Sequence, residues 1–542
     1  MKYKFNDSSK FASSPTGIIH RLKNRWLSLW PELPPPAALV IFSALAALAA
    51  AIPLFYTIWQ GIKAEFATWE LLLDQRIPAL LFSTLSLAAV VTAAGVSIGL
   101  ILAWLVVRTD LPGRRFFRWA LAIPLVFPTY VGALSYIMAF GPVGVIKNWL
   151  DLPFDIFSFP GVALVMTIFT YPYVFLITSS SLKRINPHLH ESARSCGLST
   201  LEVFKKVELP LLRPALGAGG YLIALYVLAD FGAVSMLRFD TFATSIYFQM
   251  TGRYDREGAA VLSLVLIVIT MTIVLLEYLS RKKNNLAGEV ESEVMPPRIE
   301  LGKWRWPAFT GVMLVFGAGV ILPVGVLLNW LQAGLGQGIS PGDIVPYVFN
   351  SLLSSGLAAS AAMIISVPLV YLRVRYPGKL SGLINNLAAT GYILPGVVVA
   401  LGLIFFFNNF LPSLYGTLLV FLLALIIKYL PLSLQSSEAS LQLVGKTVED
   451  ASRDMGVSGF NMMKKIVLPL AWPGVLAGAA LVFVSGMKEL TTALMLRPAG
   501  FDTLAVRVWL QASEGFYAEA ALPALILVVV SVLPLKLLVD RF

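Results

Sequence analysis

Runs of about twenty apolar residues recur along the whole chain, and such runs leave a polypeptide few folds to adopt. They lie at roughly 37–59, 79–107, 119–140, 160–181, 215–236 and 259–279, then at 307–330, 349–371, 384–407, 414–435, 473–494 and 520–538. Each is long enough to cross a bilayer as an α-helix. In lipid every backbone amide must find its partner within the protein, which favours helices. The expectation is an all-α polytopic membrane protein of about twelve transmembrane helices. Of the 542 residues, 57% are hydrophobic and 13% charged, about half the charged share of a soluble domain.

The charges orient the spans. Arg108, Arg114, Arg115 and Arg118 follow span two, and Lys183, Arg184, Lys205, Lys206 and Arg213 follow span four. Arg281–Lys283 follow span six, Arg373, Arg375 and Lys379 span eight, and Lys446, Arg453, Lys464 and Lys465 span ten. The opposite loops are poor in base, or balance Lys147 with Asp151 and Asp155. This positive-inside pattern puts both termini in the cytoplasm. The excess of 41 Lys+Arg over 30 Asp+Glu is thereby explained without nucleic acid. One cysteine, Cys196, excludes an intramolecular disulfide and a multi-cysteine metal site, and three histidines leave little for a metal cage. The first apolar run, from near Ala37, lacks a cleavable-leader pattern. Residues 1–36 read as a basic cytoplasmic tail with interfacial Trp26 and Trp30. Residues 281–306 read as a charged linker between a first half, 37–280, and a second, 307–542.

The halves repeat in parallel. Phe82-Ser-Thr-Leu85 matches Phe349-Asn-Ser-Leu352, Pro128 matches Pro395, and Phe239-Asp-Thr241 matches Phe501-Asp-Thr503. The most informative match is polar. Glu191-Ser-Ala-Arg-Ser-Cys-Gly197, running on to Pro210 and Pro214, recurs as Asp450-Ala-Ser-Arg-Asp-Met-Gly456, running on to Pro469 and Pro473, every position shifted by 259. These islands, about 188–214 and 446–473, read as short helical hairpins. Gly197 permits a sharp turn, and Ser199 with Glu202 fits a capping box. Leu201, Phe204 and Val207 share one apolar face, and Pro210 and Pro214 stop the second helix. The second copy offers Ser458 as cap and Phe460, Met463 and Val467 as the face. A single such hairpin reads as a lipid anchor. Two at equal positions read as a docking surface for a two-fold ATPase.

Glu-x-Ala-x-x-x-Gly followed by Leu-Pro resembles the EAA loop of permease subunits of binding-protein-dependent ABC importers. The resemblance makes Glu191, Ala193, Gly197, Leu201, Phe204 and Pro210, with Asp450, Ala451, Gly456, Phe460, Met463 and Pro469, the residues that dock the ATPase. The second copy departs from the pattern at Asp450 and Ser452. Two fused permease halves resemble the iron(III) importers. So do the stretches Ala229-Asp-Phe-Gly-Ala-Val234, Met487-Lys-Glu-Leu490 and Leu496-Arg-Pro498. The resemblance implies a type I importer permease fold in the bacterial inner membrane. It also implies two ATPase copies as partners and a periplasmic binding protein that delivers ferric ion. On that reading the chain is not an enzyme and binds no cofactor; ATP and Mg are used by the ATPase.

Other residues add less. Gly445-Lys446-Thr447 imitates the end of a phosphate-binding loop, but Ser440 stands where that loop needs glycine. Asp230 and Glu489, also 259 apart, fall in spans five and eleven, where acids are costly and tend to face a cavity. They read either as a cation-favouring pair in a translocation path or as locally paired groups, Glu489 with Lys488 or Arg497. No metal ligands are assigned. Thiamine or sulfate remains an alternative cargo, and an ion-driven secondary transporter an alternative class.

Overall fold

The computed structural model describes residues 35–144, 146–147, 154–283, 298–338, 341–457 and 459–539. The N-terminal tail with Trp26 and Trp30, and most of the linker, lie outside them. The twelve expected apolar segments fall on nine long apolar helices, one bent helix pair and two shorter apolar helices, Gly396–Phe410 and Tyr517–Val532. Among the described residues the one isolated β-bridge joins Thr109 to Ile299. There Asp110 Oδ1 accepts from Leu301 N at 2.9 Å, tying the end of the linker to the end of span two.

Four expected spans are not continuous. Span three bends by 94° between Arg114–Val126 and Thr129–Phe140, and span nine restarts as Gly396–Phe410. Both restart immediately after a proline, Pro128 and Pro395. A proline drives the residue before it out of helical conformation, and Phe127 is extended, with ψ 130°. Span five ends at Ala229 and resumes as Gly232–Met236; span eleven ends at Met487 and resumes as Thr491–Leu496. Asp230 and Glu489 therefore sit at helix breaks, not within helices.

The described residues group into two compact units. One takes the chain up to Ile52, Gly356–Tyr392 and Leu425–Phe483; the other takes Pro53–Ser355, Ile393–Ala424 and Val484–Phe542. In the second unit the helices Ile77–Arg108, Phe159–Arg184 and Leu209–Ala229 pack on one another. Gly99 allows this approach: a Cβ there would lie 2.7 Å from Val174 Cβ. The core of this bundle holds Leu102, Phe117, Tyr171, Phe175 and Leu212. In the first unit Leu372, Leu430, Leu434, Met462 and Val475 share a core, and Ser436 Oγ donates to Gly474 O at 2.8 Å.

Within the second unit the repeat extends to individual hydrogen bonds. Thr84 Oγ1 accepts from Phe242 N at 3.2 Å, and its counterpart Ser351 Oγ accepts from Leu504 N at 2.8 Å. Ser83 Oγ donates to Asp240 O at 2.7 Å, and Asn350 Nδ2 to Asp502 O at 3.0 Å.

Candidate functional site

The first hairpin opens with Pro187–Ser195, capped by Asn186, whose side chain accepts from His188 N at 2.9 Å. Gly197 turns the chain with φ +84°, and Gly456 does the same in the second hairpin with φ +76°. Both values lie where a Cβ is penalised, so the turn selects glycine. Ser199 then caps the next helix. Its Oγ accepts from Glu202 N at 3.4 Å, and Glu202 Oε2 accepts from Ser199 N at 2.9 Å. These bonds, with Lys206 Nζ at 3.2 Å, pull the Glu202 carboxyl down to about 2. The box therefore stays formed well below neutral pH. The second hairpin runs Lys446–Asp454, then Gly459–Met462. The cap expected from Ser458 and the side chain of Phe460 lie outside the described residues.

Pro210 and Pro214 do not stop the helix, which runs unbroken over Thr200–Ala229. A π-helical turn over Phe204–Glu208 accommodates Pro210, and a second over Met463–Val467 accommodates Pro469. Proline lacks an N–H and its ring crowds the carbonyl four residues back; a wider i→i+5 turn relieves both. The wider turn also changes which residues face inward. Val203 and Glu208, five apart, are buried, as are their counterparts Met462 and Val467. Of the expected apolar faces, Leu201 is 61% exposed, Phe204, Val207 and Met463 are half-buried, and Val467 is buried. The proline two residues beyond each π turn was the available signal.

Each hairpin is pinned from within by a buried arginine that sequence reading assigned only to orientation. Arg108, at the end of span two, directs Nε to Glu208 Oε1 at 3.0 Å and Nη2 to the same oxygen, while Trp104 Nε1 donates to Glu208 Oε2 at 3.2 Å. In the second hairpin Arg375, at the end of span eight, directs Nε to Glu449 Oε1 at 2.5 Å and Nη2 to Val444 O at 2.7 Å. Tyr371 donates to Glu449 Oε2 at 3.2 Å. The acids occupy different places: the counterpart of Glu208 is Val467, and that of Glu449 is His190. The two halves hold the same element by the same chemistry from different residues.

The outer faces remain open. Glu191 is exposed with His188 Nδ1 at 3.4 Å, and Asp450 is exposed with Arg453 Nη1 at 2.9 Å. Leu201, Cys196, Ala451 and Pro469 are exposed, and Pro210 is half-buried. Ala193 is buried, and so is Ser452 at the equivalent place.

The breaks at Asp230 and Glu489 come together in the second unit. Asp230 Oδ1 accepts from Ala233 N at 2.9 Å, and Glu489 Oε1 from Thr492 N at 3.0 Å, so each acid caps the short helix after its break. The helix after Pro128 packs on the one after Asp230, and the helix after Pro395 on the one after Glu489. A Cβ on Gly232 would lie 2.9 Å from Tyr130 Cβ and 3.1 Å from Leu490 Cδ2, which places the two breaks against each other. The local pairing expected for Glu489 does not form with Arg497, whose Nε binds Asp502 Oδ1 at 2.7 Å. Lys488 makes no ion pair among the described residues.

A family model described as the binding-protein-dependent transport system inner membrane component matches residues 95–283 and again 361–542. The chain is 32% identical to the Fe(3+)-transport system permease protein FbpB 2 of Haemophilus influenzae, over 93% of this chain and 98% of that one. It is 25% identical to the ferric transport system permease protein FbpB of Actinobacillus pleuropneumoniae, over 78% of this chain and 64% of that one. A probable sulfate transport system permease protein cysT of Chlorella vulgaris is 32% identical over 33% of this chain. With two hairpins of one design, a family match in each half and a full-length relative, this multi-pass membrane protein belongs to the binding-protein-dependent transport system inner membrane components.

Proposed function

We propose that this chain is the permease of an ATP-driven importer of ferric iron, with its two hairpins as the docking sites for two copies of a separate ATPase. The cargo reading is supported by the full-length ferric relative. The coupling reading is carried by one observation: an exposed hairpin occurs twice with the same glycine turn, the same π register and a buried arginine pin. A lipid anchor has no need of that duplication.

The first hairpin is the near end of a continuous helix of 30 residues, Thr200–Ala229. At 1.5 Å per residue it is about 45 Å long, and its far end stops at Asp230. A push on the hairpin is thus delivered to the break that carries the acid. The second hairpin has the same order along the chain, ending at Glu489. ATP and Mg act in the partner. Closure of its dimer draws the hairpins together, and the halves rock to receive ferric ion from a periplasmic binding protein.

Cys196, the sole cysteine and exposed on the first hairpin, reports on this directly. A membrane-impermeant maleimide should label it in inverted vesicles but not in intact cells, and added ATPase should protect it. Labelling from outside, or no protection by an ATPase that supports transport, would contradict the docking reading.

A further inference from the structure

Three broken helices deliver oxygen donors to one place in the second unit. Asp230 and Glu489, both buried, come from the breaks of spans five and eleven. Thr129, first residue after the bend in span three, donates from Oγ1 to Asp230 Oδ2 at 2.5 Å. Its hydroxyl also meets Tyr226 Oη at 3.2 Å. Tyr130, 3% exposed, lies against Gly232, and its hydroxyl has no hydrogen-bond partner among the described residues. Gly232 lies against both Tyr130 and Leu490, the residue next to Glu489.

An unpartnered buried phenol is costly, because its hydroxyl gave up water and gained nothing. The repeat does not require it. The counterpart of Tyr130 is Val397 and that of Tyr226 is Ser485. The two acids are shared by both halves as helix caps, whereas the two phenols belong to the first half alone. Tyr226 is half-buried, which leaves the cluster an accessible side.

We propose that Tyr130, Tyr226, Asp230 and Glu489 form a transit site for a hard trivalent cation, with ferric ion taken up through phenol and carboxylate oxygens. Hard cations prefer oxygen to nitrogen or sulfur, and two acids at a helix break favour cationic over anionic cargo. Ligation displaces the phenol protons, as metal binding generally does. The site rests on the ferric reading of the cargo and adds to it the residues that hold the ion in passage.

The test uses the permease reconstituted with its ATPase and iron-loaded binding protein, with radiolabelled iron as probe. Tyr130→Phe with Tyr226→Phe keeps both rings and removes only the hydroxyls, and co-purification of the ATPase reports that the variant is folded. Initial uptake should fall at least about tenfold, the loss usual when a group supporting a metal is removed. The wild-type permease titrated with ferric citrate should show a visible tyrosinate-to-iron absorption that the double variant lacks. Uptake at the wild-type rate, or the same absorption in the double variant, would overturn the site while leaving the ferric reading standing. A wild-type complex that carries no iron would overturn the ferric reading and the site with it.

Discussion

Arg108 and Glu208 stand 100 residues apart in the sequence and are almost fully enclosed together. A buried ion pair contributes little net stability over an apolar pair of similar size, but half of one is expensive. Arg108→Met alone should therefore cost about 3–5 kcal/mol by taking the guanidinium away from the buried Glu208 carboxylate. Arg108→Met combined with Glu208→Met should recover most of that loss, and a thermal-unfolding double-mutant cycle in detergent measures both. Equal destabilisation in the single and double variants would mean that the pair is not what pins the hairpin. None of this was legible beforehand: a basic residue after a span satisfies the positive-inside rule whatever it touches. Nothing in local periodicity links it to an acid two spans later. Ser199 with Glu202 was legible, because a capping box closes within four residues.

At the scale of the element, the π turns decide which residues of each hairpin face inward. Apolar spacing puts Leu201, Phe204 and Val207 on one face but does not show which residues turn inward. The turn over Phe204–Glu208 is wider, and the inward pair is Val203 and Glu208. Deleting the exposed Lys206 should return the turn to ordinary α register with those two residues four apart, still on one face. Inserting an alanine after Lys206 sets them six apart and on different faces. The deletion keeps that face but takes from Pro210 the turn that relieves its ring, so it should lower expression in part and keep ATPase co-purification, whereas the insertion should lose both. Similar behaviour of the two variants would show that the register carries no structural weight. The broken spans follow the same logic. Length and hydropathy found the apolar segments, including the three that are bent or short. They could not show that Pro128, Pro395, Asp230 and Glu489 mark where helices stop, since an apolar run looks alike whether it is straight or interrupted.

At the scale of the whole molecule, two observations meet. A hairpin is repeated 259 residues on with its turn, its π register and its buried positions preserved. The helices that leave the two hairpins both end at an acid. The repeat was readable from the motif Glu191–Gly197 and its partner Asp450–Gly456, and it proved deeper than the motif. Val203 and Met462 correspond in burial although their chemistry differs, and Thr84 and Ser351 correspond in their hydrogen bonds. On the proposed reading such a chain converts motion at one face, supplied by the ATPase, into a change at a distant site. The most direct test is iron accumulation in proteoliposomes that hold the purified permease and loaded binding protein, with and without the ATPase and Mg-ATP. The account predicts accumulation only when ATPase and Mg-ATP are both present, and its loss when residues 188–200 are deleted. Sustained accumulation by the permease with no ATPase present would contradict it.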